Sequence, residues 1–294
     1  MISYDVEPEW LRHLQTKEPV KIHRNHKSII HNHVTKLGIR VVVISDTHGF
    51  HRHLKFPDKE ENKEMILIHC GDMTDDGTEE EMKEFNEWLG EIKHKFSNIF
   101  VICGNHETHI SKYSKKEIQH NFLTNCTFLQ DDCFEIGGLK AYASPWCPNM
   151  YSWLCEKFEK HLNQPEKVQS LKNFDGMYYF KNENEIEEMW NKITGDVDIL
   201  ITHTPPKFIL DLNEFGSNRG CQKLLERIHN LSKLKVHLFG HIHQINGYEF
   251  ISRNELERLA LQERQENSND FHRTDVLFVN ASNFHMYQPF YFDL

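Results

Sequence analysis

Val41-Val42-Val43-Ile44-Ser45-Asp46-Thr47-His48 places four aliphatic residues just ahead of an aspartate and a histidine. The arrangement recurs down the chain. Met65 to Ile68 leads to Gly71-Asp72, Ile99 to Ile102 leads to Gly104-Asn105-His106-Glu107, and Val236 to Phe239 leads to Gly240-His241-Ile242-His243. Ile199 to Ile201 leads to Thr202-His203, where the histidine ends its run. A strand buried on both faces of a parallel sheet reads as a short unbroken apolar run. Open α/β sheets hold their ligands in loops at the carboxyl ends of such strands. The five fragments therefore predict an α/β protein with carboxylate, amide and imidazole groups gathered at one edge.

Each piece alone has a plain structural reading. A His-x-His among 21 histidines is ordinary coincidence, an Asp after a strand caps or turns, and Gly-Asn marks a turn. Five such pieces in order, each closing an apolar run, point instead to a metal site. Asp46, His48, Asp72, Asn105, His203, His241 and His243 make seven nitrogen or oxygen donors with no thiolate. That set suits divalent Mn, Fe, Zn or Ni. A carboxylate can bridge two cations, and two ions roughly 3.5–4 Å apart suit in-line displacement at phosphorus.

The order Asp-x-His, Gly-Asp, Gly-Asn-His-Glu, His, Gly-His-x-His, from Asp46 to His243, resembles the calcineurin-like metallophosphoesterase superfamily. Ser144-Pro145-Trp146, His203-Thr204-Pro205-Pro206, Gly220-Cys221, Val279-Asn280-Ala281-Ser282 and the ending Gln288-Pro289 to Leu294 are similar to its metallophosphoesterase-domain-containing, cyclic-nucleotide-phosphodiesterase-like members. The resemblance implies two facing mixed β-sheets flanked by helices, a four-layer α-β-β-α sandwich. It implies a first ion on Asp46, His48, Asp72 and His243, and a second on Asp72, Asn105, His203 and His241, with manganese favoured. A metal-bridging hydroxide would be the nucleophile. His106 is expected as general acid and, with Asn105, as a contact to the substrate phosphate. Asp75, at Gly-Asp-x-x-Asp spacing, is expected to orient His106 through its carboxylate, with Asp76 as rival. Thr204 departs from the related group, which usually has glycine there.

The implied activity is a phosphodiesterase on small, cyclic nucleotide esters. A phosphomonoesterase or phosphoprotein phosphatase is the nearest enzymatic alternative. A non-catalytic module gripping a nucleotide monophosphate or a protein is the other, and retention of all seven donors with His106 argues against it. An amidohydrolase would carry its His-x-His after the first strand, and a zinc deaminase needs a Pro-Cys-x-x-Cys loop that this chain lacks. Trp146, Trp153 and Phe215 are aromatics on which a base could stack, though such residues more often belong to a core.

Composition sets the remaining expectations. The 294 residues suffice for one large domain whose core needs no disulfide. Net charge is −10, which argues against a large nucleic-acid partner and leaves small phosphoesters open. Seven cysteines without Cys-x-x-Cys, a polar beginning and no long apolar stretch point to a cytoplasmic protein without membrane contact. The sequons at Asn125, Asn230 and Asn280 then carry no meaning. Residues 1–38 read as a polar arm, with short strands conceivable at Val20 to Ile22 and Ser28 to Ile30; His23, His26, His31 and His33 there fit no ligand spacing. Residues 39–294 read as the metallophosphoesterase domain, with insertions near 161–185 and 252–270. Helices are expected from Thr78 to Lys95, Lys115 to Leu123, Glu185 to Ile193, Gly220 to His229 and Glu255 to Arg264. Thr127 to Leu129, Cys133 to Ile136 and Leu139 to Ala143 read as short strands, Gly137-Gly138 predicts a tight hairpin between the last two, and the shift to antiparallel pairing points to a second sheet made of this group.

Overall fold

Thr78 begins the first helix by accepting from Glu81 N while the Glu81 carboxylate reaches back to Thr78 N, a reciprocal cap that the sequence Thr-Glu-Glu-Glu encodes. The protein is described from a computed structural model that covers residues 20–21, 38–148, 179–180, 183–261, 275–284 and 288–294. The elements begin with β1 (Val20–Lys21), β2 (Ile39–Ile44), β3 (Glu64–Cys70), α1 (Glu79–Ile92), β4 (Asn98–Ile102), α2 (Lys115–Asn121) and β5 (Thr127–Phe128). Then come β6 (Asp132–Ile136), β7 (Leu139–Ser144), β8 (Cys147–Pro148), β9 (Tyr179–Phe180), α3 (Glu183–Asn191) and β10 (Ile199–Thr202). The last are α4 (Gln222–His229), β11 (Val236–Phe239), β12 (Gly247–Ile251), α5 (Arg253–Ala260), β13 (Val276–Asn280) and β14 (Phe290–Asp293).

The strands form two mixed sheets of order β1-β14-β2-β3-β4-β5 and β12-β13-β11-β10-β7-β6, with β8 and β9 paired apart. In the first, β2 through β5 run parallel and β14 runs antiparallel to β2. In the second, β7, β10, β11 and β13 are parallel, and β6 and β12 are antiparallel edges.

Side chains alternating along each strand divide the interior. Val41, Val43, Ile66 and Ile68 meet Ile199, Ile201, Leu238 and Val279 between the sheets. Val42, Ile44, Leu67 and Val101 turn outward onto Phe85, Trp88 and Leu89 of α1. Leu200, Phe239 and Phe278 pack on Trp190 of α3, Leu224 and Leu225 of α4 and Leu256 of α5. The result is helices, sheet, sheet, helices. The apolar runs are unbroken because both faces of each central strand are covered, at about 1.5–3 kcal/mol for each large side chain buried.

The β6–β7 hairpin turns at Gly137-Gly138, where both residues have positive φ (56° and 76°), as a two-residue primed turn demands. Segment 127–129 differs from expectation: β5 extends the first sheet beside β4, and the second sheet begins only at β6. Several helix ends also move. The first α-helix stops at Ile92 and continues as a 3-10 turn over Lys93–Lys95, α2 ends at Asn121, and α3 runs from Glu183 to Asn191. Cys221 and Ser252 serve as N-caps, so α4 and α5 begin at Gln222 and Arg253. Apart from β1, the arm's proposed strand at Ser28 to Ile30 and its histidines lie outside the described residues, as do most of 161–185, residues 262–270 and Trp153. Among the described residues no helix is long and apolar enough to cross a membrane.

Candidate metal centre

Parallel strands from both sheets end at the same place. Asp46 and His48 follow β2, Asp72 follows β3, Asn105 and His106 follow β4, His203 follows β10, and His241 and His243 follow β11. The hydrogen bond from His241 N to Asp46 Oδ2 (2.9 Å) ties a loop of the second sheet to one of the first, and Gly240 N to His203 O (3.0 Å) joins two loops of the second.

Four of these residues hold positive φ without being glycine: Asp46 (54°), His48 (42°), Asp72 (53°) and His241 (69°). Left-handed backbone at such residues costs of order 1–3 kcal/mol each and persists where surroundings enforce it. It turns each side chain back toward the strand ends. Gly104 serves the same purpose by lacking a side chain: a Cβ there would collide with Asp72 Oδ1 and His203 Nε2. Thr204 is not among the positive-φ residues, so its backbone does not require the glycine that the resemblance leads one to expect there.

All seven predicted donors come together. His48 Nε2 lies 3.3 Å from His243 Nε2, which lies 3.1 Å from Asp46 Oδ1. On the other side His203 Nε2 lies 3.0 Å from Asn105 Oδ1 and 3.1 Å from Asp72 Oδ2. Asp72 Oδ2 is also 3.9 Å from His48 Nε2, which puts this carboxylate between the two groups. His203 and His241 pack ring to ring at 5.0 Å.

Two of these histidines have the other ring nitrogen engaged. His203 Nδ1 donates to Cys70 O (2.8 Å) and His48 Nδ1 meets Asp75 Oδ1 (3.0 Å), so each ring turns its Nε2 inward. This corrects the expectation for Asp75. Its carboxylate orients His48, and His106 is held by the Asp75 backbone carbonyl, which accepts from Nδ1 at 2.7 Å. Asp76 offers only its carbonyl, to His109 N and Thr108 Oγ1.

The field at this edge draws positive charge. Burial pushes Asp46 and Asp72 upward, but His243 holds Asp46, and His203 holds Asp72, well below the usual carboxylate range. Burial opposes protonation of His48, yet the Asp75 hydrogen bond and the charges of Asp72 and Asp46 lift it to about 9. His203, likewise opposed by burial, is lifted to about 9, chiefly by Asp72. Burial, reinforced by His203, lowers His241 to about 3, a neutral imidazole fit for ligation. One donor atom each from Asp46, His48, Asp72 and His243 lies within 4.8 Å of the others, and a second such group is Cys147, His203 and His241. Converging imidazole and carboxylate donors of this kind fit divalent transition-metal ions.

Other supports carry weaker signals in the sequence. Glu107, which closes the Gly-Asn-His-Glu fragment, is fully buried and accepts from Asp72 N (3.2 Å), Gly104 N (2.6 Å), Thr74 N (3.1 Å) and Thr74 Oγ1 (2.9 Å). It ties the loops after β3 and β4 together, a role that its spacing alone does not announce. Asn280 donates to Ile242 O (3.0 Å), fixing the carbonyl between His241 and His243, which gives the Val-Asn-Ala-Ser run a purpose. Phe284 stacks on His243 at 4.6 Å and meets the edge of His48 at 5.3 Å. Trp146 is committed to the fold, its Nε1 donating to Asp131 Oδ2 (2.9 Å), while Phe215 stands 78% exposed.

The family model described as Calcineurin-like phosphoesterase matches residues 39–245, which holds every one of these donors. The chain belongs to that family. It is 33% identical over 231 residues to human metallophosphoesterase domain-containing protein 1, covering 71% of this chain and 61% of that protein. Two UPF0046 proteins of Caenorhabditis elegans are similar as well. One is 32% identical over 71% of this chain and 65% of its own length, the other 33% identical over 78% and 76%. The chain thus spans about three fifths of the human relative's length. Its fold is the α/β metallophosphoesterase sandwich, and its site carries a cluster, Asp46, His48, Asp72 and His243, able to hold a metal ion.

Proposed function

We propose that the chain is a dinuclear metal-dependent phosphodiesterase acting on small, cyclic nucleotide esters. The observation that carries the reading is a complete donor set with one imidazole, His106, standing beside it and not in it. Asp46, His48, Asp72 and His243 would hold one ion, and Asp72, Asn105, His203 and His241 the other. Bound ions would supply Lewis acidity toward phosphoryl oxygens and an activated water as nucleophile.

The chain's own groups do the rest. A carbonyl can only accept, so His106 Nδ1 carries its proton to Asp75 O (2.7 Å), and Nε2 is the atom left to hold or release a second proton. The ring packs edge-on against His48 at 4.7 Å, and its backbone N–H donates to Asp72 Oδ1 (2.9 Å). His106 is thereby tied to the bridging carboxylate, in place to protonate a departing alkoxide. Asn105 would turn its amide toward both an ion and a phosphate oxygen. The free thiols of Cys70, Cys126, Cys133, Cys147 and Cys221 support a reducing, cytoplasmic setting, and the acidic surface favours a small substrate over a large nucleic acid.

The test is elemental analysis joined to a manganese-dependent assay comparing 2′,3′-cyclic, 3′,5′-cyclic and monoester substrates. Two metals per chain with faster cyclic diester hydrolysis is the expected result. Monoester preference would favour a phosphomonoesterase or phosphoprotein phosphatase. Full metal loading without hydrolysis would favour a module that grips a nucleotide monophosphate or a protein.

A further inference from the structure

Among the described residues, Cys147 is the one sulfur in a donor group at this edge. It is fully buried and a free thiol, and its Sγ makes a weak contact to Pro145 O at 3.8 Å. Register explains its arrival. β7 and β10 are parallel neighbours with Ser144 opposite Thr202, so the chain leaving β7 runs out beside His203. Asp131 then pins the turn with both carboxylate oxygens, accepting from Ser144 Oγ (2.8 Å) and Trp146 Nε1 (2.9 Å). Cys147 is therefore held in place and is not a stray side chain at a loop tip.

We propose that the Cys147 thiolate is a further ligand of the second metal position, joining His203 and His241 and making that position the softer of the two. The inference rests on the two-metal reading above. Donor atoms of Cys147, His203 and His241 lie within 4.8 Å of one another. Tetrahedral donors on one ion at Zn–S and Zn–N lengths of about 2.3 and 2.0 Å stand about 3.5 Å apart, so closure needs a shift of at most about 1.3 Å, within reach of side-chain rotation. Thiolate beside imidazole favours zinc or ferrous iron over manganese, whereas the first position, with two carboxylates and two imidazoles, has no such bias. The two positions would then take up different metals. Ligation releases the thiol proton to solvent, and no redox change is involved.

Cobalt(II) tests this without reference to turnover, because thiolate ligation gives an intense near-ultraviolet charge-transfer band that oxygen and nitrogen ligands do not. The full chain, freed of metal, is titrated with cobalt while uptake is counted by elemental analysis. The band should grow with one of the two equivalents and vanish in Cys147→Ser and Cys147→Ala, with zinc affinity at that position falling by at least about tenfold. Two cobalt ions bound without the band, or a band surviving in both variants, overturns the proposal and leaves the metal centre standing. Fewer than two ions bound by the unaltered chain overturns the two-metal reading and the proposal with it. Should the variants not fold, X-ray absorption of the unaltered chain loaded with two zinc ions decides. A sulfur neighbour at about 2.3 Å supports Cys147, and a shell of oxygen and nitrogen alone refutes it.

Discussion

Replacing Glu107 with glutamine removes a charge while keeping the shape of a fully buried side chain. Oε2 accepts from Asp72 N (3.2 Å) and Gly104 N (2.6 Å), and Oε1 from Thr74 N (3.1 Å) and Thr74 Oγ1 (2.9 Å). Burial and the Asp72 charge raise this carboxyl, while four donors favour its ionised form. Three of the four are backbone N–H groups that cannot accept, so a protonated carboxyl would find only one acceptor, the Thr74 hydroxyl. A glutamine does best by keeping its oxygen on Asp72 and Gly104 and turning its amide to Thr74, whose hydroxyl can reverse. Thr74 N–H is then left without a partner, at about 1–3 kcal/mol, and two bonds lose charge assistance at about 1 kcal/mol each. Relief of the Glu107–Asp72 repulsion offsets part of this, for a net loss of about 2–4 kcal/mol. Urea unfolding of chelator-treated Glu107→Gln against the unaltered chain measures it. A difference below about 0.5 kcal/mol would show that the carboxyl already carries a proton and that its hydrogen bonds have been wrongly assigned.

Asp72→Ala should abolish binding of both ions and slow diester hydrolysis by more than about 10³-fold, the weight of several kcal/mol of Lewis-acid assistance; turnover near the unaltered rate would rule out the dinuclear reading. In His106→Asn, metal content should hold at two while hydrolysis falls about 10²–10⁴-fold, and loss of metal would make His106 a structural support. The third concerns acid. Burial lowers His237 from 6.5 to about 3, and its Nε2 donates to Thr202 Oγ1 (2.8 Å), a hydroxyl already spent on Thr204 O (2.7 Å). A folded value below the unfolded one means that the stabilisation is intact above about pH 6.5 and is lost as pH falls toward 3. By about pH 5 that amounts to about 2 kcal/mol, and His237→Gln should flatten this part of the stability–pH curve in urea titrations; an unchanged slope would place the proton elsewhere.

The site's donors are legible because central parallel strands leave an unbroken apolar signature, and the residues just beyond its end are the ones that face a ligand. Asp46, Asp72 and His241 can be singled out from that alone. Spacing cannot tell a carbonyl from a carboxylate, which is why it assigns Asp75 to His106 when the side chain serves His48. Cys147 carries no local signal either. Its place depends on the Ser144–Thr202 register between strands over fifty residues apart in sequence, and on Asp131 across the preceding hairpin. Segment 127–129 reads with the second sheet because nothing in Thr-Phe-Leu says which partner it adopts, and its parallel pairing with β4 decides that. Helix ends shift where Cys221 and Ser252 take the capping position.

The first sheet contributes Asp46, His48, Asp72 and Asn105, and the second contributes His203, His241 and His243. Any ion seated among them is a rivet through both slabs. Metal saturation at a hundred times the dissociation constant would add about 2.7 kcal/mol against unfolding per independent site. Starving the protein of metal should loosen the seam between the slabs first, so hydrogen exchange at β2 and β11 would report metal supply before any change in the outer helices.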